Sequence, residues 1–233
     1  MVSTSIDPFS RLQRPVVVNA ALLIGALAVM TMASKIIPRE SPATIPPGVL
    51  LRRGAAFQGC ILAAAAVILF VNVVVLGNSA RALWRPPIAG ASQSVIALCA
   101  FSALSVVVLI AYIAATRPAS LQVNAQTAMR YGLVPLLALS NATSEEVMTR
   151  FTVLHFGPGT SSVAKIAISA TAFGLLHLTS GTPSGWVGFG LTFVLGAVAM
   201  AVTIDTGSMR YALALHVLLD VVIFSTLVAQ LPR

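Results

Sequence analysis

The first half of the chain is divided by uncharged stretches that are long enough to cross a membrane. Residues 15–34, 54–80 and 86–116 contain no Asp, Glu, Lys or Arg. A helix rises about 1.5 Å per residue, so ~20 residues cross a hydrocarbon core ~30 Å thick. The pattern predicts helices near 15–36, 54–76 and 92–115, and their proline-containing connections are typical of loops.

The second half of the chain keeps this apolar character but has charges within it. The run from Ile166 to Ile204 is uncharged, and the turn residues 180–185 split it into two segments. We expect helices near 127–154, 162–179, 186–204 and 209–230, the first of them bent at Pro135. The predicted fold class is all-α: a polytopic transmembrane bundle of about seven helices, forming a single integral membrane domain over residues 1–233.

Composition supports a membrane protein and excludes two other classes. The chain is 58% hydrophobic and 9% charged, whereas soluble domains carry roughly 25% charged residues. The net charge of +8 is dispersed without a basic run, which argues against nucleic-acid binding and favours loops anchored at anionic lipid. Cys60 and Cys99 lie in apolar stretches and indicate neither a disulfide framework nor a metal site. The first apolar stretch is longer than a signal peptide requires, so we expect a retained helix.

One cluster of ionisable residues lies near the end of the predicted helix 127–154. An ionisable side chain at the centre of a membrane helix costs about 2.5–3.5 kcal/mol, so such residues usually mark function. Glu146 and Arg150 are spaced i, i+4 and predict a helical ion pair. Glu145 points about 100° away around the helix and is left without that cation. A carboxylate in such a place suits a general base, although an interfacial salt bridge would show the same spacing.

Two further polar pairs lie on the helices that follow. Phe173 and His177 are spaced i, i+4, as are His216 and Asp220. Asp220 is far from either end of its apolar segment, so we expect it to bind His216 or a residue of another helix. Three clusters on three apolar helices predict one polar cavity between the four C-terminal helices. Asn19, Asn72 and Asn124 are expected to bridge helices, and His155 to lie in a loop.

In chain order, these clusters resemble the motifs of the CPBP intramembrane proteases, which include CAAX prenyl proteases of the Ras-converting type and bacterial Abi-type proteins. The matching residues are Glu145-Glu146-x-x-x-Arg150, Phe173-x-x-x-His177 and His216-x-x-x-Asp220. The resemblance covers about residues 130–225. It implies that 121–233 form the catalytic core and that 1–120 supply generic transmembrane helices.

The resemblance implies hydrolysis of a peptide bond by an intramembrane endopeptidase. Glu145 and His177 would activate a water, while His216 and Asp220 would bind the oxyanion or position the scissile carbonyl. Glu146 and Arg150 would hold the site together, and Phe173 would line it.

The chain departs from the family pattern at three positions. Thr149 and Phe151 replace an aromatic residue and a glycine beside the motif arginine, and Asp220 replaces the commoner asparagine. An ionised Asp cannot donate to an oxyanion, so we expect Asp220 to orient His216 or to act protonated.

Metal dependence stays open at the level of sequence. Zn²⁺ accepts nitrogen and oxygen ligands, and Glu145, His177 and His216 could supply them. However, the chain has no His-Glu-x-x-His helix, and the same residues could form a metal-free glutamate–water site, which we favour slightly.

Two other functions fit parts of the pattern. Intramembrane Glu, His and Asp also build the relays of proton- or metal-coupled transporters, and a membrane partner could keep this fold without turnover. The expected partners are a peptide or protein substrate in or at the membrane and the lipid bilayer, with no nucleic acid. We expect a multi-pass protein of a bacterial plasma membrane.

Overall fold

Long helices make up almost all of the chain that the structure, a computed structural model, describes. These residues are 8–35, 47–86, 125–179 and 183–229, with short pieces between 99 and 114. The helices are α1 (Pro8–Ala33), α2 (Pro47–Phe70), α3 (Ala125–Glu146), α4 (Ser162–Thr179), α5 (Gly185–Thr206) and α6 (Arg210–Ala229). A π-helical turn, Val71–Val75, extends α2, and a 3₁₀ turn follows at Ala80–Leu83. The all-helical class is confirmed.

Among the described residues, five segments are long and apolar enough to span a membrane. They are Arg14–Ala33, Arg52–Val75, Ser162–Thr179, Gly185–Thr206 and Arg210–Ala229. These correspond to the first, second, fifth, sixth and seventh predicted helices. The third, 92–115, lies largely outside the described residues, although positions 102–107 and 109–110 are helical. The protein is therefore an integral membrane protein with a polytopic helical bundle.

The fourth predicted helix, 127–154, departs from α geometry at a different place from the one expected. Pro135 lies inside α3, and residues around it are α-helical. The departure is a π-helical turn, Val147–Phe151, which leads into a short α segment, Thr152–Leu154. Such π turns occur often at functional sites, and this one directly follows Glu145 and Glu146.

Small residues let α4 and α5 pack closely. A Cβ added at Gly196 would lie 3.2 Å from the Ala170 Cα, and one at Gly174 would lie 3.0 Å from the Phe189 ring. Glycines of this kind allow membrane helices to approach each other. Large apolar side chains elsewhere face outward, with Ile24 67% and Val187 70% exposed. In a bilayer these surfaces face lipid.

A buried asparagine pair, Asn19 and Asn72, joins α1 to the extension of α2, as the sequence predicted, while Asn124 lies outside the described residues. The amide of Asn72 donates to Asn19 Oδ1 at 2.9 Å, and Asn19 Nδ2 donates to the His155 carbonyl at 2.8 Å. His155 follows the short segment after α3, where its ring packs on Phe151 with centroids 4.4 Å apart. Burial lowers the pKa of His155 from its ordinary value. These bonds hold α1 and the π-helical extension of α2 against His155, which follows the short segment Thr152–Leu154.

Candidate active site

Three helices bring the predicted polar residues together. Glu145 and Glu146 end α3, His177 lies in the last turn of α4, and His216 and Asp220 lie on α6. All are buried in the bundle. Glu145 Oε2 lies 3.5 Å from His216 Nε2 and 3.9 Å from His177 Nε2. Carboxylate and imidazoles from three helices therefore face one point.

Glu146 binds two hydrogen-bond donors with one oxygen. Its Oε1 lies 3.0 Å from Arg150 NH1 and 2.9 Å from His216 Nδ1. The ion pair with Arg150 is the one that the i, i+4 spacing predicted. The contact with His216 joins α3 to α6 and was not apparent in the sequence. Since a carboxylate beside Arg150 accepts hydrogen bonds, His216 Nδ1 carries the donated proton.

Asp220 binds a residue of another helix, Asn141, one of the two partners expected for it, whereas the other expected bond, between Asp220 and His216, is not made. Their closest approach is 3.9 Å, between Nε2 and Oδ1, which is beyond hydrogen-bond distance. Glu146, on the facing helix, makes the bond to this imidazole instead. The same-helix spacing brought His216 and Asp220 near each other, but packing between α3 and α6 decides which carboxylate orients the ring.

Arg150 is held on several sides within the π-helical turn. Its NH1 donates to Thr149 Oγ1 at 2.9 Å, and its guanidinium carbon lies 4.0 Å from the centroid of the Phe173 ring. A cation over an aromatic face is attracted by the ring quadrupole. Phe173 also meets the rings of His177 and His216 edge-on, at 5.1 and 5.5 Å between centroids. Phe173 thus lines the site and supports three of its members.

The segment between α4 and α5 orients His177. His177 Nδ1 lies 3.1 Å from the Pro183 carbonyl, which can only accept, so Nδ1 carries a proton. Nε2 of the neutral ring is then an acceptor facing Glu145. Gly188 keeps this arrangement possible, because a Cβ there would overlap the Pro183 carbonyl.

Two residues of the site were not predicted. Asn141, one helical turn before Glu145, donates through Nδ2 to Glu145 Oε1 at 3.1 Å and to Asp220 Oδ2 at 3.0 Å. Gln58 on α2 donates to Asn141 Oδ1 at 3.4 Å. The i, i+4 spacing of Asn141 and Glu145 was the signal that could have identified the first of these residues.

A small cavity adjoins these groups. Its volume is about 50 Å³, and roughly 10–15 Å³ of such volume accommodates one water. Its polar side includes Glu146, Arg150, His177, His216 and Asp220. The apolar side is formed by α5 and α6, through Leu191, Leu195, Leu219 and Ile223. The cavity combines room for water with a polar face and an apolar wall.

The ligand set of a metal is not assembled here. Within the described ranges, no group of three His, Cys, Asp or Glu side chains is placed to hold a metal ion. Glu145 Oε2 lies near both imidazole Nε2 atoms, but these three atoms are not arranged as a set of metal ligands.

Comparison with known proteins gives a match to a family model for the C-terminal part of the chain. Residues 127–222 match the family model described as type II CAAX prenyl endopeptidase Rce1-like. This segment begins in α3 and ends in α6, so it contains every residue of the predicted site. It confirms the resemblance to CAAX-type proteases. Neither the curated proteins nor the solved structures include a significant match.

Proposed function

Starting from the match of residues 127–222 to the Rce1-like family model of CAAX prenyl endopeptidases, we propose that this protein is an intramembrane endopeptidase that uses a Glu145-activated water. The observation that carries the proposal is that Glu145 Oε2 lies 3.9 Å from His177 Nε2 and 3.5 Å from His216 Nε2. Glu145 Oε2 has no hydrogen-bond partner among the described residues. Glu146 Oε2 has none either, but Glu146 is paired with Arg150, and only Glu145 Oε2 faces both imidazole Nε2 atoms. Glu145 Oε2 is therefore the oxygen proposed for the proton transfer.

The first step is attack of water on a peptide carbonyl. Glu145 does not itself line the cavity, so the reacting water lies at the cavity edge formed by His177 and His216. There it donates one hydrogen to Glu145 Oε2 and the other to His177 Nε2, whose Nδ1–H is bound by the Pro183 carbonyl. As the water oxygen bonds to the carbonyl carbon, Glu145 takes a proton. In the second step the C–N bond breaks and Glu145 returns that proton to the leaving amine. Positioned proton transfer of this kind contributes about 10²–10⁴-fold.

His216 is the proposed donor to the oxyanion. It has Glu146, Glu145 and Asp220 within 3.9 Å, and these carboxylates stabilise an imidazolium. With Nδ1–H bound to Glu146, the Nε2–H of that imidazolium is free to donate to the developing oxyanion. Loss of one such donor typically lowers kcat by about 10²–10³-fold. Asp220 supports this charge rather than donating itself.

The cavity wall supports a membrane-associated substrate. Leu191 and Leu195 on α5 and Leu219 and Ile223 on α6 form its apolar side. An apolar group attached to a peptide would pack there and exclude bulk water from the polar face. A prenylated C-terminal peptide has this chemistry, and a hydrophobic leader peptide is the other substrate class to compare.

The proposal is tested with purified protein in liposomes. The substrates are a farnesylated Cys-aliphatic-aliphatic-X peptide, its unmodified form and a hydrophobic leader peptide, and products are identified by mass spectrometry. We expect cleavage of at least one lipid-associated peptide by the wild-type protein. Glu145→Gln should abolish it, whereas Asp205→Asn, a matched carboxylate-to-amide control at the end of α5, should retain it.

The outcomes separate the competing functions. Cleavage unaffected by a zinc chelator supports the metal-free route, and loss of cleavage that zinc restores overturns it. Absence of cleavage of all three substrates by well-folded protein contradicts the proteolytic function. Chelator-sensitive ion flux in the same liposomes would then favour a transporter, and inactivity in both assays would favour a catalytically silent partner.

A further inference from the structure

Asn141 connects two carboxylates that come from different helices. Its single amide nitrogen donates to Glu145 Oε1 at 3.1 Å within α3 and to Asp220 Oδ2 at 3.0 Å on α6. The Asn141 side chain is buried, with 8% of the residue exposed. An amide nitrogen has two hydrogens, and each carboxylate takes one of them. Asn141 therefore fixes the distance between Glu145 and Asp220.

The orientation of the Asn141 amide is set by α2. Gln58 Nε2 donates to Asn141 Oδ1 at 3.4 Å, and Gln58 Oε1 accepts from Ser140 Oγ at 3.1 Å. Each acceptor in this series of hydrogen bonds is paired with a donor. If the Asn141 amide were flipped, its oxygen would face the carboxylate oxygens of Glu145 and Asp220. Such a flip would leave buried acceptors without donors, which is unfavourable.

This arrangement determines which carboxylate oxygens remain available. Asn141 occupies Glu145 Oε1, and Oε2 is left facing His216 and His177. It also occupies Asp220 Oδ2, while Oδ1 stays 3.9 Å from His216 Nε2. Without this amide, two buried carboxylates would be free to rotate toward the same imidazolium.

We propose that Asn141, oriented by Gln58, is a positioning residue that directs Glu145 Oε2 to the reacting water and holds Asp220 away from His216. The proposal rests on the proposed proteolytic function. It extends the site beyond the family segment 127–222 to α2, which contributes Gln58 in addition to spanning the membrane.

The kinetic test is a double-mutant cycle. Asn141→Leu is expected to lower kcat by about 10–100-fold, the loss typical of a hydrogen bond to a charged group, with KM unchanged. Gln58→Leu should lower kcat less in the wild type and have no additional effect in the Asn141→Leu background, because Gln58 acts through Asn141. Independent, multiplying effects or a change confined to KM would overturn the proposal.

A spectroscopic test does not depend on turnover. The infrared difference between the wild type and Glu145→Gln isolates the Glu145 carboxyl band. The same difference in the Asn141→Leu background should show that band at a shifted frequency, since Oε1 has lost its donor. If Asn141→Leu fails to fold, Gln58→Leu serves in its place, with a smaller shift expected. An unshifted band in every folded variant would overturn the proposal.

A control variant separates positioning from general destabilisation. Thr203→Val removes a buried hydroxyl on α5 that donates only to the Ala199 carbonyl at 2.8 Å. It should lower thermal stability without altering kcat or the Glu145 band. Equal kcat losses in Thr203→Val and Asn141→Leu would show a structural effect only. If the wild type cleaves nothing while the band still shifts, proteolysis fails as the function and the hydrogen-bond part of the proposal stands.

Discussion

Replacing Glu146 by Gln tests whether a buried ion pair organises the site. Glu146 Oε1 receives Arg150 NH1 at 3.0 Å and His216 Nδ1 at 2.9 Å, and both Arg150 and Glu146 side chains are only 2% exposed. An amide oxygen can still accept one of these donors, but the negative charge is lost. Removing one partner of a fully buried pair leaves an uncompensated charge and typically costs about 3–5 kcal/mol. An exposed pair would lose only about 0–1 kcal/mol.

The surroundings of Arg150 place the expected loss of stability at the lower end of that range of about 3–5 kcal/mol. Thr149 Oγ1 accepts from NH1 at 2.9 Å, and the Phe173 ring faces the guanidinium at 4.0 Å. Both contacts persist in Glu146→Gln and partly compensate for the lost carboxylate. We therefore expect a loss of about 3 kcal/mol in the free energy of unfolding.

The assay is reversible unfolding in mixed detergent micelles, followed by circular dichroism. Glu145→Gln is the matched comparison, because Gln Oε1 can keep the bond from Asn141 and the other oxygen of Glu145 has no partner among the described residues. We expect Glu145→Gln to unfold close to the wild type and Glu146→Gln to unfold well before it. Equal stability of the two variants would refute the assignment of Glu146 as the structural carboxylate and Glu145 as the reacting carboxylate.

Substitutions at three positions test individual parts of the site. Glu145→Gln should abolish peptide cleavage with a nearly unchanged folded yield, and retained cleavage would remove Glu145 as the base. Asp220→Asn should keep substantial activity, because its Oδ1 can still accept from Asn141 while its amide faces the cavity, whereas Asp220→Ala should lose roughly 10²-fold; equal, total inactivation of both would argue for a proton acceptor or a metal ligand at this position. Gly188→Ala should displace the Pro183 carbonyl from His177 and lower kcat and thermal stability together, and a variant with wild-type behaviour would show that this contact is dispensable.

Helix positions were predictable because apolar length and turn residues are local properties. The predicted 162–179 matches Ser162–Thr179, and 209–230 lies within a residue of Arg210–Ala229. The end of α5 is marked by Gly207, whose φ of 62° is accessible to glycine without strain. The π-helical turn Val147–Phe151 could not be predicted, since hydropathy does not distinguish an i→i+5 turn from an α turn.

The partners of the charged residues were predictable only within one helix. Spacing identified Glu146 with Arg150, and the structure has that pair at 3.0 Å. The same spacing suggested a bond between His216 and Asp220. The packing of α6 against α3 instead places His216 in a hydrogen bond with Glu146. Rotation of one helix about its axis depends on packing along its whole length, and no local pattern records it.

Asn141 and Gln58 were missed because uncharged amides do not interrupt an apolar segment as charges do. Gln58 lies among apolar residues of α2 and Asn141 among small polar residues of α3, and neither alters the pattern of Asp, Glu, His and Arg that predicted the site. A carboxylate buried in a bundle requires a donor, however, and the residue one turn before it on the same helix is within reach. Asn at that position therefore indicates a donor to the carboxylate of Glu145.

The central claim is that Glu145 activates a water to hydrolyse a peptide bond, and cleavage in oxygen-18 water tests it most directly. Wild-type protein and Glu145→Gln would be reconstituted side by side and given the peptide that the wild type cleaves. We predict one labelled oxygen in the new carboxyl group of the wild-type product and no product from Glu145→Gln of equal folded yield. Labelled product formed at the wild-type rate by Glu145→Gln would contradict the account.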